Sequence, residues 1–240
     1  LFQAGFVTME GMVYKLSPIK GQQVNVVQLY DNLMNVYAWS NMDNPKVLVD
    51  YYTRRHTTQY RHYFFVLAEQ YVREIEKQND LVAKLQNSSS IEGDEDSNKS
   101  AKIEEAKQKR DDAKTKAIEV IEYSLKVMPL HNVIDYGEPN SGMQQLPPNS
   151  GIDFIYTYDD GKVHEYARVL YVIGANEQAN KVALEVADEL ESILNFTLES
   201  KPMIASDTEI DFFAALDAYL TLYTVASEQQ TQDAFTQRAE

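Results

Sequence analysis

The chain has 240 residues, 44% of them apolar, and its 37 acidic residues outnumber the 22 basic ones to give a formal net charge of −15. This composition is typical of a globular protein. The negative charge argues against binding to nucleic acid or to an anionic membrane surface, because both require basic residues. The chain has no cysteine, which excludes disulfides, thiolate metal sites and cysteine nucleophiles.

Neither a membrane span nor a signal peptide is evident in the sequence. No apolar run approaches the roughly 18 residues that a membrane-spanning helix requires, so we expect this chain not to be inserted into a membrane. The chain opens at Leu1 without a start methionine or a basic n-region. We therefore expect it to be part of a longer protein.

Residues 1–45 are predicted to form an extended arm followed by a short helix. Met12–Leu16 alternates imperfectly between apolar and polar residues, which favours a strand, and Pro18 and Gly21 end it. Val26–Trp39 has apolar residues at helical spacing.

Residues 46–240 are predicted to form one helical domain, which begins with a long hairpin over 57–129. An apolar stripe at steps of three and four residues runs from Tyr60 to Ile75, and a second stripe runs from Ile103 to Leu125. A polar stretch over 87–98 separates them, and Pro129 ends the second helix. Two long helices around a polar tip predict an antiparallel helical hairpin.

The rest of the domain is predicted to contain a loop, a second helix pair and a C-terminal helix. Glycine and proline punctuate the loop at 130–157, which either covers a groove or is an inert insertion. The second pair is expected over 158–200, with its turn at Gly174, and the last helix over 206–228.

The two helix pairs carry a tetratricopeptide-like pattern, in which small residues alternate with bulky ones so that neighbouring helices approach closely. In the first pair the pattern falls on Phe64, Leu67, Ala68, Tyr71, Ala117, Ile121, Ser124 and Pro129. In the second pair it falls on Tyr166, Ala167, Leu170, Gly174, Ala179, Ala183 and Val186. The first pair departs from the pattern because its two helices extend outward. The sequence thus predicts a mainly α fold of antiparallel helix pairs, a tetratricopeptide-like superhelix.

Three segments carry a further resemblance: Gly11–Lys20; Leu29–Asn35 with Trp39, Asn41 and Met42; and Lys116–Ile121 leading to Val127–Pro129. In this order they resemble the C-terminal region of a bacterial family of multi-pass membrane proteins of unknown function, which is related to protein O-mannosyltransferases. The resemblance implies an extracytoplasmic domain on the periplasmic side of the inner membrane, tethered to a glycosyltransferase-type membrane region. It implies that any reactive residues lie in that membrane region, and it leaves the activity of the full-length protein open.

Few residues in the sequence suggest a catalytic, metal-binding or anion-binding site. The four histidines lack the spacing of a helical zinc site. Arg54, Arg55 and Arg61 form a basic cluster with His56 and His62, and we favour pairing with internal carboxylates over binding of an anion. A calcium-loop spacing over 94–105 has Lys99 where glycine is required, which favours an acidic tip instead. We expect no catalytic residue, cofactor or metal site.

Two functions from different classes fit these observations. The first is a non-catalytic scaffold that binds a protein, a peptide or the membrane part of its own chain. The second is an accessory domain that binds a substrate or glycan for the glycosyltransferase, with tyrosines and Trp39 stacking on sugar rings. The candidate partner-binding residues are Tyr60, Tyr63, Tyr71, Tyr166 and Tyr171.

Overall fold

The computed structural model describes residues 5–16, 18, 20–21, 23–47, 51–87, 95–130, 163–199 and 206–228. This part of the chain is mainly helical, with a two-stranded sheet near the N-terminus. The predicted mainly α fold with antiparallel helices and an N-terminal extended segment is confirmed. The elements are β1 (Val7–Met9), β2 (Tyr14–Leu16), α1 (Val26–Asp31), a π-helical segment (Asn32–Val36), α2 (Tyr51–Asn87), α3 (Glu95–Val127), α4 (Val163–Val172), α5 (Asn176–Glu199) and α6 (Ser206–Glu228).

The N-terminal arm is a β-hairpin. Strands β1 and β2 are antiparallel, with Val7 opposite Leu16 and Met9 opposite Tyr14. On the other side of β1, Met9 N–H donates to the Gln23 carbonyl at 2.8 Å. Val7 and Met9 are buried, whereas all of β2 is exposed. The arm therefore packs on the protein through β1.

The predicted helix over Val26–Trp39 is correct as far as Val36 and wrong beyond it. Tyr37 has extended backbone, with ψ 138°, which takes Tyr37 and Trp39 out of the helical spacing. The Tyr37 hydroxyl accepts a hydrogen bond from Met12 N–H at 3.2 Å. A Cβ atom on Gly11 would lie 2.1 Å from the Tyr37 hydroxyl oxygen, so this contact requires glycine at the turn of the β-hairpin.

Helices α2 and α3 form a long hairpin whose inner and outer halves differ. In the inner half, or hairpin root, Phe64, Leu67 and Ala68 of α2 and Ala117, Val120 and Ile121 of α3 are fully buried. Among the described side chains of the outer half, only Gln78 on α2 beyond Lys77 and Ala106 on α3 before Ala113 are buried. Since α2 has 37 residues and α4 has 10, the outer half extends beyond the helices that cover the root.

Helices α4, α5 and α6 pack on one another, and α4 packs on the hairpin root. Gly174 has φ 68°, and Ala175 N–H donates to the Leu170 carbonyl at 2.8 Å, which is the hydrogen bond that closes a Schellman helix end. Lys114 Nζ on α3 donates to the Gly174 carbonyl at 3.0 Å. This turn therefore fixes α4 against α3 and starts α5.

One hydrophobic cluster joins the arm to the helices. It includes Met9 and Leu29 as well as residues of every helix from α2 to α6. The small residues of the proposed repeat, Ala68, Ala117, Ala167 and Ala179, are all fully buried. Burial of small side chains at these positions allows the close helix contacts expected from the sequence.

The division of the chain at residue 45 stays a prediction. Apart from Leu130, the predicted loop at 130–157 lies outside the described residues, as do residues 158–162.

Candidate functional site

A half-open cleft of about 340 Å³ lies between the C-terminal end of α3 and the middle of α5. We call it the α3–α5 cleft. Leu125, Pro129 and Leu130 form its apolar wall, and Glu185, Asp188 and Glu189 form its acidic wall. Its volume is at the lower end of the roughly 300–1,000 Å³ found for ligand pockets. It is therefore suited to a side chain or another small group.

The apolar wall is held in place from inside the core. Pro129 follows the end of α3 because it has no N–H to continue the helix. The carbonyl of Met128 accepts a hydrogen bond from Arg61 Nη2 on α2 at 2.9 Å. Arg61 and Met128 are both fully buried. The guanidinium group thus fixes the chain at the point where α3 gives way to the cleft wall.

Arg61 of the basic cluster has a hydrogen-bond partner inside the protein. It is buried and donates to a backbone carbonyl, and the expected pairing of this cluster with carboxylates stays a prediction. In the same cluster His62 packs edge-on against the Tyr63 ring, with 5.8 Å between centroids. The side chains of Arg54 and Arg55 lie outside the described residues. Sequence reasoning missed Arg61 because nothing local distinguishes a buried arginine from an exposed one.

The acidic wall follows from the register of α5. Val182, Val186 and Leu190 are buried, which turns the neighbouring positions 185, 188 and 189 away from the core. These three positions are spaced i, i+3 and i+4, so they share one face of the helix. Glu185 is exposed and Glu189 is partly buried. The carboxylates therefore face the cleft as a group.

The acidic wall of the cleft lies on a negatively charged helix, whereas the last turn of α3, beside the apolar wall, contains Lys126. Helices α5 and α6 together contain eleven acidic residues and one basic residue, Lys181. The carbonyl groups at the C-terminal end of α3 add a partial negative charge at the apolar wall. In the part of the chain that the structure describes, Lys181 forms no ion pair with Glu185, one turn further on. The cleft therefore favours a cation over an anion.

The five tyrosines selected from the sequence do not line this cleft. Tyr60 is partly buried, and the others are buried, with exposed fractions of 8% for Tyr63, 8% for Tyr71, 0% for Tyr166 and 2% for Tyr171. Tyr171 donates to the Asn180 side chain at 2.6 Å and so links α4 to α5. Four of the five are therefore core residues in this structure.

Tyr166 joins three helices at the hairpin root. Its hydroxyl lies 2.8 Å from the Ser124 hydroxyl on α3 and donates to the backbone carbonyl of Arg61 on α2 at 3.2 Å. Complete burial raises the pKa of Tyr166 well above its usual value, although the bond with Ser124 and the charge of Arg61 act in the opposite direction. The phenol is thus held neutral as a structural group.

Tyr71 belongs to a cluster that connects α1 to the hairpin. Lys116 Nζ lies 5.8 Å from the Tyr30 ring centroid and 5.9 Å from that of Tyr71, which is cation–π distance. The Tyr30 hydroxyl donates to Glu119 at 3.0 Å. Burial, reinforced by Tyr30 and Glu119, raises the pKa of Tyr71 to about 12. Lys116 lies over one face of each ring, so the cluster links α1, α2 and α3.

A second aromatic cluster surrounds Trp39. Its ring centroid lies 5.1 Å from Phe64, 6.1 Å from Tyr60 and 6.3 Å from Tyr37. Trp39, Tyr37 and Tyr60 are all partly buried, so their outer edges reach the surface. The indole Nε1–H is buried and has no acceptor among the described residues. Of the residues considered for sugar stacking, Trp39 and Tyr60 are the two that are not buried.

The described residues contain neither a group of metal ligands nor a membrane-spanning helix. Within the ranges that the structure covers, no three His, Cys, Asp or Glu side chains are grouped as metal ligands. In those same ranges, no helix has the length and apolar character needed to cross a membrane.

Comparison with known proteins adds no relative: no family model, no curated protein and no solved structure matches this chain. The interpretation of the α3–α5 cleft and of the Trp39 cluster therefore depends on their own residues.

Proposed function

We propose that this chain is a non-catalytic, tetratricopeptide-like interaction domain that binds a polypeptide, and that the α3–α5 cleft is its binding site. The observation that carries the proposal is a half-open cleft of about 340 Å³ lined by apolar residues from the end of α3 and by carboxylates of α5. Helical repeats bind partners on concave surfaces, and apolar grooves between helices are a recurring way to hold a peptide. The buried alanines at the repeat positions support the tetratricopeptide-like arrangement.

The cellular setting is a proposal as well. On the strength of the resemblance given above, we propose that the chain is the extracytoplasmic C-terminal part of a membrane-bound glycosyltransferase-like protein, on the periplasmic side of the inner membrane. Its partner would then be an acceptor polypeptide or a segment of the membrane region. Accessibility labelling of the full-length protein in intact cells and in membrane vesicles tests this placement.

The Trp39 cluster favours one alternative, an accessory domain that binds a glycan. Aromatic rings that keep part of their surface exposed are able to contact the apolar faces of sugar rings. A Trp39→Phe variant reduces the aromatic surface of the cluster and keeps a ring in it, and it therefore tests sugar recognition.

Binding of the purified chain to two sets of probes decides between these functions. One set consists of short unstructured peptides of graded net charge, measured by fluorescence anisotropy. The other is a panel of mannose and N-acetylglucosamine oligosaccharides, measured by glycan array and calorimetry. We expect peptide binding without sugar binding. Sugar binding that is lost in Trp39→Phe, with no peptide binding, would overturn the interaction function in favour of the alternative.

A further inference from the structure

We infer that the α3–α5 cleft binds a lysine side chain of a cationic polypeptide, with the alkyl stem on Leu125, Pro129 and Leu130 and the ammonium group at Glu185 and Glu189. This inference rests on the proposed interaction function and adds the chemical class of the partner. Its basis is that apolar side chains and carboxylates line the same small cleft.

The two walls match the two ends of one type of side chain. Lysine buries its methylene stem along apolar surface while its charged end stays in a polar, hydrated environment. A purely apolar ligand would leave the carboxylates without a counter-charge, and an anion would be repelled by them. A small cation without a stem would leave the apolar wall exposed to water.

The surrounding charge favours the same class of partner. Because α5 and α6 hold eleven acidic residues and a single lysine, these helices contain too little positive charge to neutralise themselves. Like charges at i, i+4, as at Glu185 and Glu189, destabilise a helix. A bound ammonium group between them relieves this repulsion. The negative field also attracts a cationic segment from a distance.

Asp188 shares the acidic wall but has an interaction of its own. Glu185 and Glu189 are therefore the residues to change. Glu177 and Glu199 offer a matched control, since both are exposed carboxylates on the same helix and neither lines the cleft. Changing either pair to glutamine removes the same charge from α5.

The experiment uses an unstructured peptide of repeating Lys-Leu-Gly-Ser and a second peptide in which norleucine replaces each lysine. Binding to the wild-type chain and to the double variants E185Q/E189Q and E177Q/E199Q is measured by anisotropy at about 0.1 M and about 1 M NaCl. We expect the lysine peptide to bind wild type roughly 5-fold more tightly than it binds E185Q/E189Q, in line with exposed ion pairs. E177Q/E199Q should stay within about 2-fold of wild type, and the norleucine peptide should not distinguish the proteins.

Each of the other outcomes contradicts either the inference or the proposed interaction function. Equal weakening in the two double variants would show that only net charge matters, which overturns the cleft as the site. Equal binding of the two peptides would show that no cation is recognised, which also overturns the inference while leaving the interaction function intact. Failure of every peptide to bind wild type would remove the interaction function itself. Circular dichroism and thermal unfolding of both variants establish that they fold.

Amide chemical shifts give an independent readout of location. On titration with the lysine peptide, we expect the largest shifts over Leu125–Leu130 and Glu185–Glu189 in the wild-type chain. Shifts centred on Trp39 and Tyr60 instead would place the peptide on the aromatic cluster and would contradict the inference.

Discussion

The α2–α3 hairpin and the α5–α6 pair are both antiparallel helix pairs, but they handle charge in opposite ways. Helices α2 and α3 contain 14 basic and 12 acidic residues, whereas α5 and α6 contain one and eleven. The hairpin forms ion pairs within its own helices, such as Lys107–Glu104 at 2.7 Å and Lys77–Glu74 at 3.3 Å. Its exposed outer half is thus neutralised locally.

The comparison shows which part of the molecule has charge that its own residues do not balance. A protruding hairpin whose charges are paired along its own length gains little from a charged partner. Helices α5 and α6 keep a net negative field, and one side of α5 faces an apolar wall across the α3–α5 cleft. The hairpin root is therefore the packed framework, and the acidic helices hold the surface that we propose binds a partner.

The largest effect that we predict is on the free energy of unfolding, and it differs between the hairpin root and the outer half. Phe64 is fully buried against Trp39, at 5.1 Å between centroids, and Tyr123, at 6.2 Å. Phe64→Ala should lower the free energy of unfolding by about 3–5 kcal/mol, because it removes contacts and leaves a cavity. Leu81→Ala, at a side chain that is 42% exposed in the outer half, should change it by no more than about 0.5 kcal/mol. Urea denaturation followed by circular dichroism measures both, and equal losses would contradict the framework role of the root.

The helices at this root were predictable from the sequence because their signal is local. Apolar residues at steps of three and four specified the buried stripes, including Leu67 and Ile121, and small residues marked the close contacts at Ala68 and Ala117. The end of the first helix was less predictable. The backbone turns at Tyr37, whose hydroxyl bonds to Met12 N–H 25 residues earlier, and a contact over that distance leaves no periodic signal.

The candidate site was harder to predict than the fold. The spacing of Glu185, Asp188 and Glu189 is visible in the sequence, but nothing near them indicates that Pro129 and Leu130 lie opposite. Tyrosine was a poor guide for the same reason. Periodicity placed Tyr166 and Tyr171 correctly on helix faces, yet burial depends on which helices cover those faces. Arg61 shows the converse, since its charge suggested the surface while its place on α2 put it in the core.

A second prediction concerns the loss of stability at high pH, to which we expect Tyr71 in the hairpin root to contribute. Because the pKa of Tyr71 is raised to about 12 from a usual value of 10.0, folding favours the neutral phenol. Its contribution to stability is complete below pH 10 and is lost as the pH rises toward 12. In Tyr71→Phe, the free energy of unfolding should therefore fall less steeply above pH 10 than in wild type. Urea unfolding at a series of pH values measures the slopes. Tyr14→Phe, on exposed strand β2, controls for the loss of one tyrosine, and parallel slopes in wild type and Tyr71→Phe would refute the assignment.

The smallest predicted effect tests the charge comparison directly, because one substitution should have opposite signs in the two regions. Glu104→Gln breaks the pair with Lys107 and should destabilise the hairpin by a few tenths of a kcal/mol, whereas Glu185→Gln relieves repulsion from Glu189 and should stabilise α5 by about as much. Replicate thermal unfolding should resolve shifts of about 1 °C of opposite sign. Both should shrink at about 1 M NaCl, where surface charges are screened. A stabilised Glu185→Gln protein that also binds the lysine peptide less tightly would connect the acidic wall to binding. A destabilised one would mean that the hairpin and α5 do not differ in the way proposed.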